Sequence, residues 1–126
     1  MQRIALISVA AGLGLCGGTA FPQDVSAVQL ENLTHPEVKA REIRVAVLPI
    51  GSTEPHANHM PYGSDFFATG ALAARAAAKA NELGAKVMVL PVMPYGVNTN
   101  VTAIPYAQSL RPATLTLVVK DIVDGL

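Results

Sequence analysis

Between Gly51 and Asp65 the chain places two of its three histidines, His56 and His59, and two carboxylates, Glu54 and Asp65. Imidazole mixed with carboxylate suits zinc, manganese or iron, and such hard and borderline ligand sets build hydrolytic metal sites. Glu54 and His56 are two apart, so in extended backbone both side chains point the same way. Asp65 can return to the same crevice because Pro61 and Gly63 let the intervening loop fold back. Spacing alone leaves blander readings open. Asp65 could cap a helix, Ser52 and Thr53 could close a turn, and Glu-x-His arises by chance. Two other chemistries are excluded. This loop contains neither GxGxxG nor GxxxxGK[ST] to cradle phosphate, and its Gly51-Ser52-Thr53 lacks the flanking glycines of a strained nucleophilic serine elbow.

The elements around this loop set where it would sit. Thr34-His35-Pro36-Glu37 has the form of a helix start, with Thr34 as N-cap, Pro36 in the first turn and Glu37 at the capping-box position. Ile43 to Ile50 (IRVAVLPI) is a β-branched, nearly continuous apolar run, the pattern of a parallel strand buried on both faces. After the polar loop, Asp65 is the expected N-cap of an Ala-dense helix from Phe66 to Leu83, stopped by Gly84. Its charges, Arg75, Lys79 and Glu82, fall on one stripe, so the rest of that helix is expected to be covered. Lys86 to Val92 (KVMVLPV) is a second buried strand. A loop from Met93 to about Arg111 follows, then a helix opening at Pro112 with Leu115, Val118, Val119, Ile122 and Val123 as its apolar stripe. Strand, helix, strand, helix with buried strands implies a right-handed parallel α/β unit. Ligands bind outside the carboxyl ends of such strands, which is where the Gly51–Asp65 loop lies. Two strands are few for a parallel sheet, so the reading is of the front part of a larger domain.

Composition narrows the class. The chain has 126 residues, 51% apolar and 14% charged, with nine basic and nine acidic side chains. A disordered polyelectrolyte needs the opposite balance. No Lys/Arg cluster offers a nucleic-acid face, and a single cysteine excludes a disulfide framework or a thiolate zinc site. Residues 1–20 form a separate unit: Arg3, an apolar and small-residue run from Ile4, then Gly18-Thr19-Ala20 at a peptidase-type exit. This is the layout of a secretory signal peptide, and it predicts an exported protein, periplasmic or extracellular. Glycines interrupt the run, so no stable membrane span is expected after cleavage. Cys16 follows Leu15, where a lipoprotein would carry a small residue, and is read as part of the apolar run. Residues 21–42 are a polar lead-in, and 43–126 carry the domain.

Leu48-Pro-Ile-Gly-Ser-Thr-Glu54-Pro-His56-Ala-Asn-His59-Met-Pro-Tyr-Gly-Ser-Asp65 resembles the first signature of the creatininase family of metal-dependent amidohydrolases, roughly P-x-G-S-x-E-x-H-G-x-H-L-P-x-x-T-D. Leu33 to Val38 is similar to the family's lead-in, and Leu90 to Gly96 to its second strand and loop. The resemblance implies a three-layer α/β/α fold, a parallel sheet with helices on both faces. It implies two divalent metal ions (Zn, Mn or Fe), with Glu54 on one, His56 on the other and Asp65 bridging them. A metal-activated water would then hydrolyse a cyclic or non-peptide amide C–N bond of a small molecule. His59 matches the family's second histidine, with a supporting or substrate-facing role. The sequence departs at Pro55, Ala57, Asn58 and Met60. Ala57 stands where the family carries glycine, a residue that often marks positive φ or close backbone approach. It departs again from Val97-Asn98-Thr99-Asn100 to Ile104-Pro105-Tyr106-Ala107. The family's later Asn-Gly-His-type ligand motif is not among these 126 residues.

Two functions therefore stand side by side. One is a metal-dependent amidohydrolase of which this sequence carries part of the site, homo-oligomeric at full length as the resemblance implies. The other is a non-catalytic α/β homologue serving as a binding or assembly module.

Overall fold

A computed structural model describes residues 5–7 and 25–126. Three short strands, β1 (Ala5–Ile7), β2 (Val45–Val47) and β3 (Val87–Val89), form one parallel sheet in the order β1-β2-β3. Ala46 pairs with Leu6 on one side and with Met88 on the other. The helices are α1 (His35–Lys39), α2 (Ser64–Glu82) and α3 (Pro112–Asp124), and two 3-10 turns, Ser26–Val28 and Leu30–Asn32, precede α1. The sheet thus has one strand more than expected, drawn from the segment read as a signal peptide. The rest of residues 1–20 lies outside the described residues.

Both β2 and β3 are shorter than their apolar runs, and proline explains it. Pro49 and Pro91 carry no N–H and cannot donate to a ladder. Beyond them the two chains pair again: Met93 N–H donates to Pro49 C=O at 2.9 Å and Gly51 N–H to Met93 C=O at 2.8 Å. The extended pairing therefore reaches the start of the polar loop and holds it against the chain leaving β3.

Alternate side chains of β2 and β3 enter two separate cores, as the two-residue period of a strand requires. Val47, Val87 and Val89 pack against Ala73, Ala74, Ala77 and Ala78 of α2, with Val28 beside them. Ala46, Leu48 and Leu90 face the other way, toward Leu30 and toward Val119 and Ile122 of α3. Helices therefore cover both faces of the sheet. The alanines let the α2 backbone lie close to the strands.

Two further details differ from the sequence reading. Asp65 is not the N-cap of α2; it is the second residue of the helix, and Gly63 occupies the cap. Ser64 causes this, because its N–H and hydroxyl both return to Pro61 C=O at 3.1 and 2.6 Å, while Phe67 N–H already donates to Gly63 C=O. The carboxylate of Asp65 still sits in the first turn, where the helix dipole favours it. Nor is α2 covered everywhere outside its charged stripe. Phe67 and Leu72 are 62% and 45% exposed, because this narrow sheet meets only one side of the helix.

Candidate metal centre

The loop leaving β2 folds back on itself. Glu54 N–H donates to Tyr62 C=O at 3.2 Å, and His56 and Met60 form an antiparallel bridge. The turn between them needs one left-handed residue, and Ala57 supplies it at φ 54°. The fold-back brings the start of α2 beside the end of β2. At that crossing Gly51 has no side chain to collide with Phe66, whose Cα lies only 2.5 Å from where a Cβ would stand.

Glu54, His56 and Asp65 consequently meet. One ligand atom from each lies within 4.8 Å of the others, the one such cluster of three among the described residues. All three side chains are half-buried. Glu54 and Asp65 line a crevice of about 280 Å³ together with Gly51, Ser52, Thr69 and Asn98. It opens at the carboxyl ends of the strands, the expected place for a ligand in such a sheet.

The imidazole of His56 is oriented at both nitrogens. Nδ1 lies 2.9 Å from Glu54 C=O, which can only accept, so Nδ1 carries a proton. Nε2 lies 2.8 Å from Asp65 Oδ1. Partial burial pushes the His56 pKa down, but the Glu54 carbonyl, the charge and hydrogen bond of Asp65 and the charge of Glu54 outweigh it, and the net shift is upward. A cation is therefore favoured at this spot. A proton on Nε2 is one such cation. A divalent ion is another, and Nδ1–H donation to a carbonyl is the arrangement that directs the Nε2 lone pair of a ligating histidine. Two carboxylates and one oriented imidazole fit a divalent metal of the zinc, manganese or iron type.

His59 is exposed on the fold-back turn and is not one of the three. His35 opens α1, is exposed, and also lies outside the cluster. The residues that spacing could not reveal are those tying this loop to the next one. Thr53 does not merely close a turn; its hydroxyl donates to Pro94 C=O at 2.7 Å, and its carbonyl accepts from Gln108 N–H at 2.9 Å. Asn98 is buried and donates from Nδ2 to Ser52 Oγ and, at 2.8 Å, to Gln108 C=O. An asparagine in a polar loop gives no sequence signal of burial.

A parallel sheet covered by helices, with carboxylates and an oriented histidine at its carboxyl edge, defines an α/β protein with a candidate metal centre. The creatininase family profile, described as creatinine amidohydrolase, matches residues 31–126. The chain belongs to the creatininase family. A Bacteroides fragilis protein assigned as a creatinine amidohydrolase is similar at 33% identity and a TM-score of 0.72, over 79% of this chain and 40% of that one. A creatininase structure is 33% identical with a TM-score of 0.65, over 76% of this chain and 38% of its own. A glutamate-to-glutamine variant of creatininase in Zn–Zn form is 32% identical, with a TM-score of 0.64, over 76% and 38%. This chain thus spans about 40% of the length of the solved relatives. Comparison with curated proteins finds no match.

Proposed function

We propose that the chain contributes metal-holding residues to a metal-dependent amidohydrolase that cleaves a cyclic or non-peptide amide C–N bond of a small molecule. The convergence of Glu54, His56 and Asp65 within 4.8 Å carries the reading. Glu54 and His56 would each take one cation, and Asp65, with two carboxylate oxygens, would serve both. Bound divalent ions supply a Lewis acid for an amide carbonyl and lower the pKa of a water near it. The chain's own part is to fix donors. The Glu54 carbonyl holds the imidazole plane, and the first turn of α2 holds the Asp65 carboxylate. His59, on the exposed fold-back turn, would face the substrate or support the ligands. A creatininase variant has been solved complexed with creatine, which makes creatinine-like cyclic amides the first substrates to try. No helix among the described residues is long and apolar enough to cross a membrane; the apolar run before residue 21 supports export.

The test is hydrolysis of creatinine and related cyclic amides by the zinc- or manganese-loaded protein. Turnover that is lost on chelation and in His56→Ala and Asp65→Ala supports the reading. No stoichiometric metal and no turnover on any amide would leave the non-catalytic homologue that serves as a binding or assembly module. That second reading is favoured by the exposed Phe67, Leu83 and Leu117, at 62%, 80% and 60%.

A further inference from the structure

The crevice has one wall that the metal reading does not use. It is made by the loop from Gly96 to Leu110, the region where the sequence departs from the family. Leu110 N–H closes the base of this loop on Gly96 C=O at 2.9 Å. Asn98 stands inside that base, 7% exposed, and lines the crevice with Glu54 and Asp65. Its backbone N–H donates to Ser109 Oγ at 2.9 Å, and its side-chain amide spans from Gln108 C=O to Ser52 Oγ. Ser52 is itself 7% exposed and lies two residues before Glu54. Gly96 leaves the needed room: a Cβ there would lie 3.1 Å from Gly51 C=O and 3.5 Å from Asn98 Oδ1. At the far end, Tyr62 hydroxyl donates to Pro105 C=O at 2.9 Å, so the same loop is also tied to the fold-back turn.

We infer that Asn98 is a positioning residue for the candidate metal centre, setting the placement of Glu54 through Ser52 without itself touching a cation. The inference rests on the metal reading above. Three hydrogen bonds stitch residues 52–53 to the second loop, and two of them, Asn98 to Ser52 and Gln108 to Thr53, depend on the loop base that Asn98 holds closed. A buried amide with two acceptors fixes geometry strongly, because leaving either acceptor unpaired is costly. Groups that orient ligands rather than bind metal typically change metal affinity about 10–100-fold when removed.

The experiment is a cobalt(II) titration of the 126-residue chain followed by the visible ligand-field bands, for wild type, Asn98→Ala, Ser52→Ala and Asn81→Ala. Asn81 is the matched control. Its amide clamps Val87 with bonds of 2.9 and 2.8 Å at the opposite end of β3, so its loss perturbs a strand but not the crevice. We expect Asn98→Ala and Ser52→Ala each to weaken cobalt binding about tenfold or more and to shift the bands. Asn81→Ala should keep both affinity and spectrum, whatever its melting temperature. Cobalt bound by Asn98→Ala and Ser52→Ala within twofold of wild type overturns the inference and leaves the metal reading standing. Equal weakening in Asn81→Ala overturns it too, showing that stability alone governs binding. Should Asn98→Ala fail to fold, Ser52→Ala decides between the same outcomes. A wild-type chain that binds no cobalt removes the metal reading, and this inference with it.

Discussion

Replacing Gly51 with alanine should damage stability and the metal centre together, because that glycine is where β2 and α2 touch. A Cβ at position 51 would lie 2.5 Å from Phe66 Cα and Cβ and 2.7 Å from Phe66 N. Two of those three atoms are backbone, so no rotamer change relieves the overlap. Ordinary contact begins near 3.4 Å, and the start of α2 must therefore retreat by about 1 Å. Overpacking of this kind costs about 1–3 kcal/mol, and a domain of this size loses roughly 4–8 °C of melting temperature per kcal/mol. Asp65 is the residue next to Phe66. The same retreat carries its carboxylate away from His56 Nε2, now 2.8 Å from Oδ1. Thermal melting followed by circular dichroism reads the first effect, and cobalt titration reads the second. A Gly51→Ala protein with wild-type melting temperature and wild-type cobalt affinity would refute the claim that this contact positions the ligand.

Further outcomes follow from the same geometry. Ala57 sits at φ 54°, where an L-residue is strained by about 1–2 kcal/mol and glycine is not. Part of that relief is offset by the greater freedom of an unfolded glycine, so Ala57→Gly should raise the denaturant midpoint by about 0.5–1 kcal/mol equivalent; an unchanged or lower midpoint would contradict it. Glu37 accepts from Thr34 hydroxyl and backbone N–H at 2.6 and 2.7 Å, and these bonds hold its pKa below the ordinary 4.5. A depressed carboxyl stabilises the fold above its unfolded pKa and loses that effect as pH falls through its folded value. The stability difference between wild type and Glu37→Gln should therefore be present at neutral pH and vanish in acid. A difference independent of pH would refute the capping role.

Much of this arrangement is legible in the sequence. The Thr34-x-x-Glu37 box, the apolar runs around β2 and β3, Gly84 after α2 and Pro112 opening α3 each follow from local chemistry, and each element stands where its residues place it. Strand ends were less legible because apolar character continues through Pro49 and Pro91 while the regular ladder stops before them. The start of α2 moved because Ser64, not Asp65, makes the turn with Pro61. Glu54 and His56 could be put on one side of the chain from their spacing, but how close Asp65 comes depends on Ala57 and Gly51, which govern a turn and a crossing. Asn98 was illegible for a deeper reason. Its role is made by Ser52, 46 residues earlier, and by the carbonyl of Gln108, which any residue there would supply.

The measurement nearest to the central claim is cobalt(II) binding to the wild-type chain, His56→Ala and Asp65→Ala, with stoichiometry determined by elemental analysis and the ligand-field bands recorded alongside. The account predicts saturable binding by wild type, with bands that disappear when either ligand is removed while the α/β circular-dichroism spectrum remains. A wild-type chain that takes up no cobalt, or variants that bind as well as wild type, would contradict the assignment of Glu54, His56 and Asp65 as a metal centre.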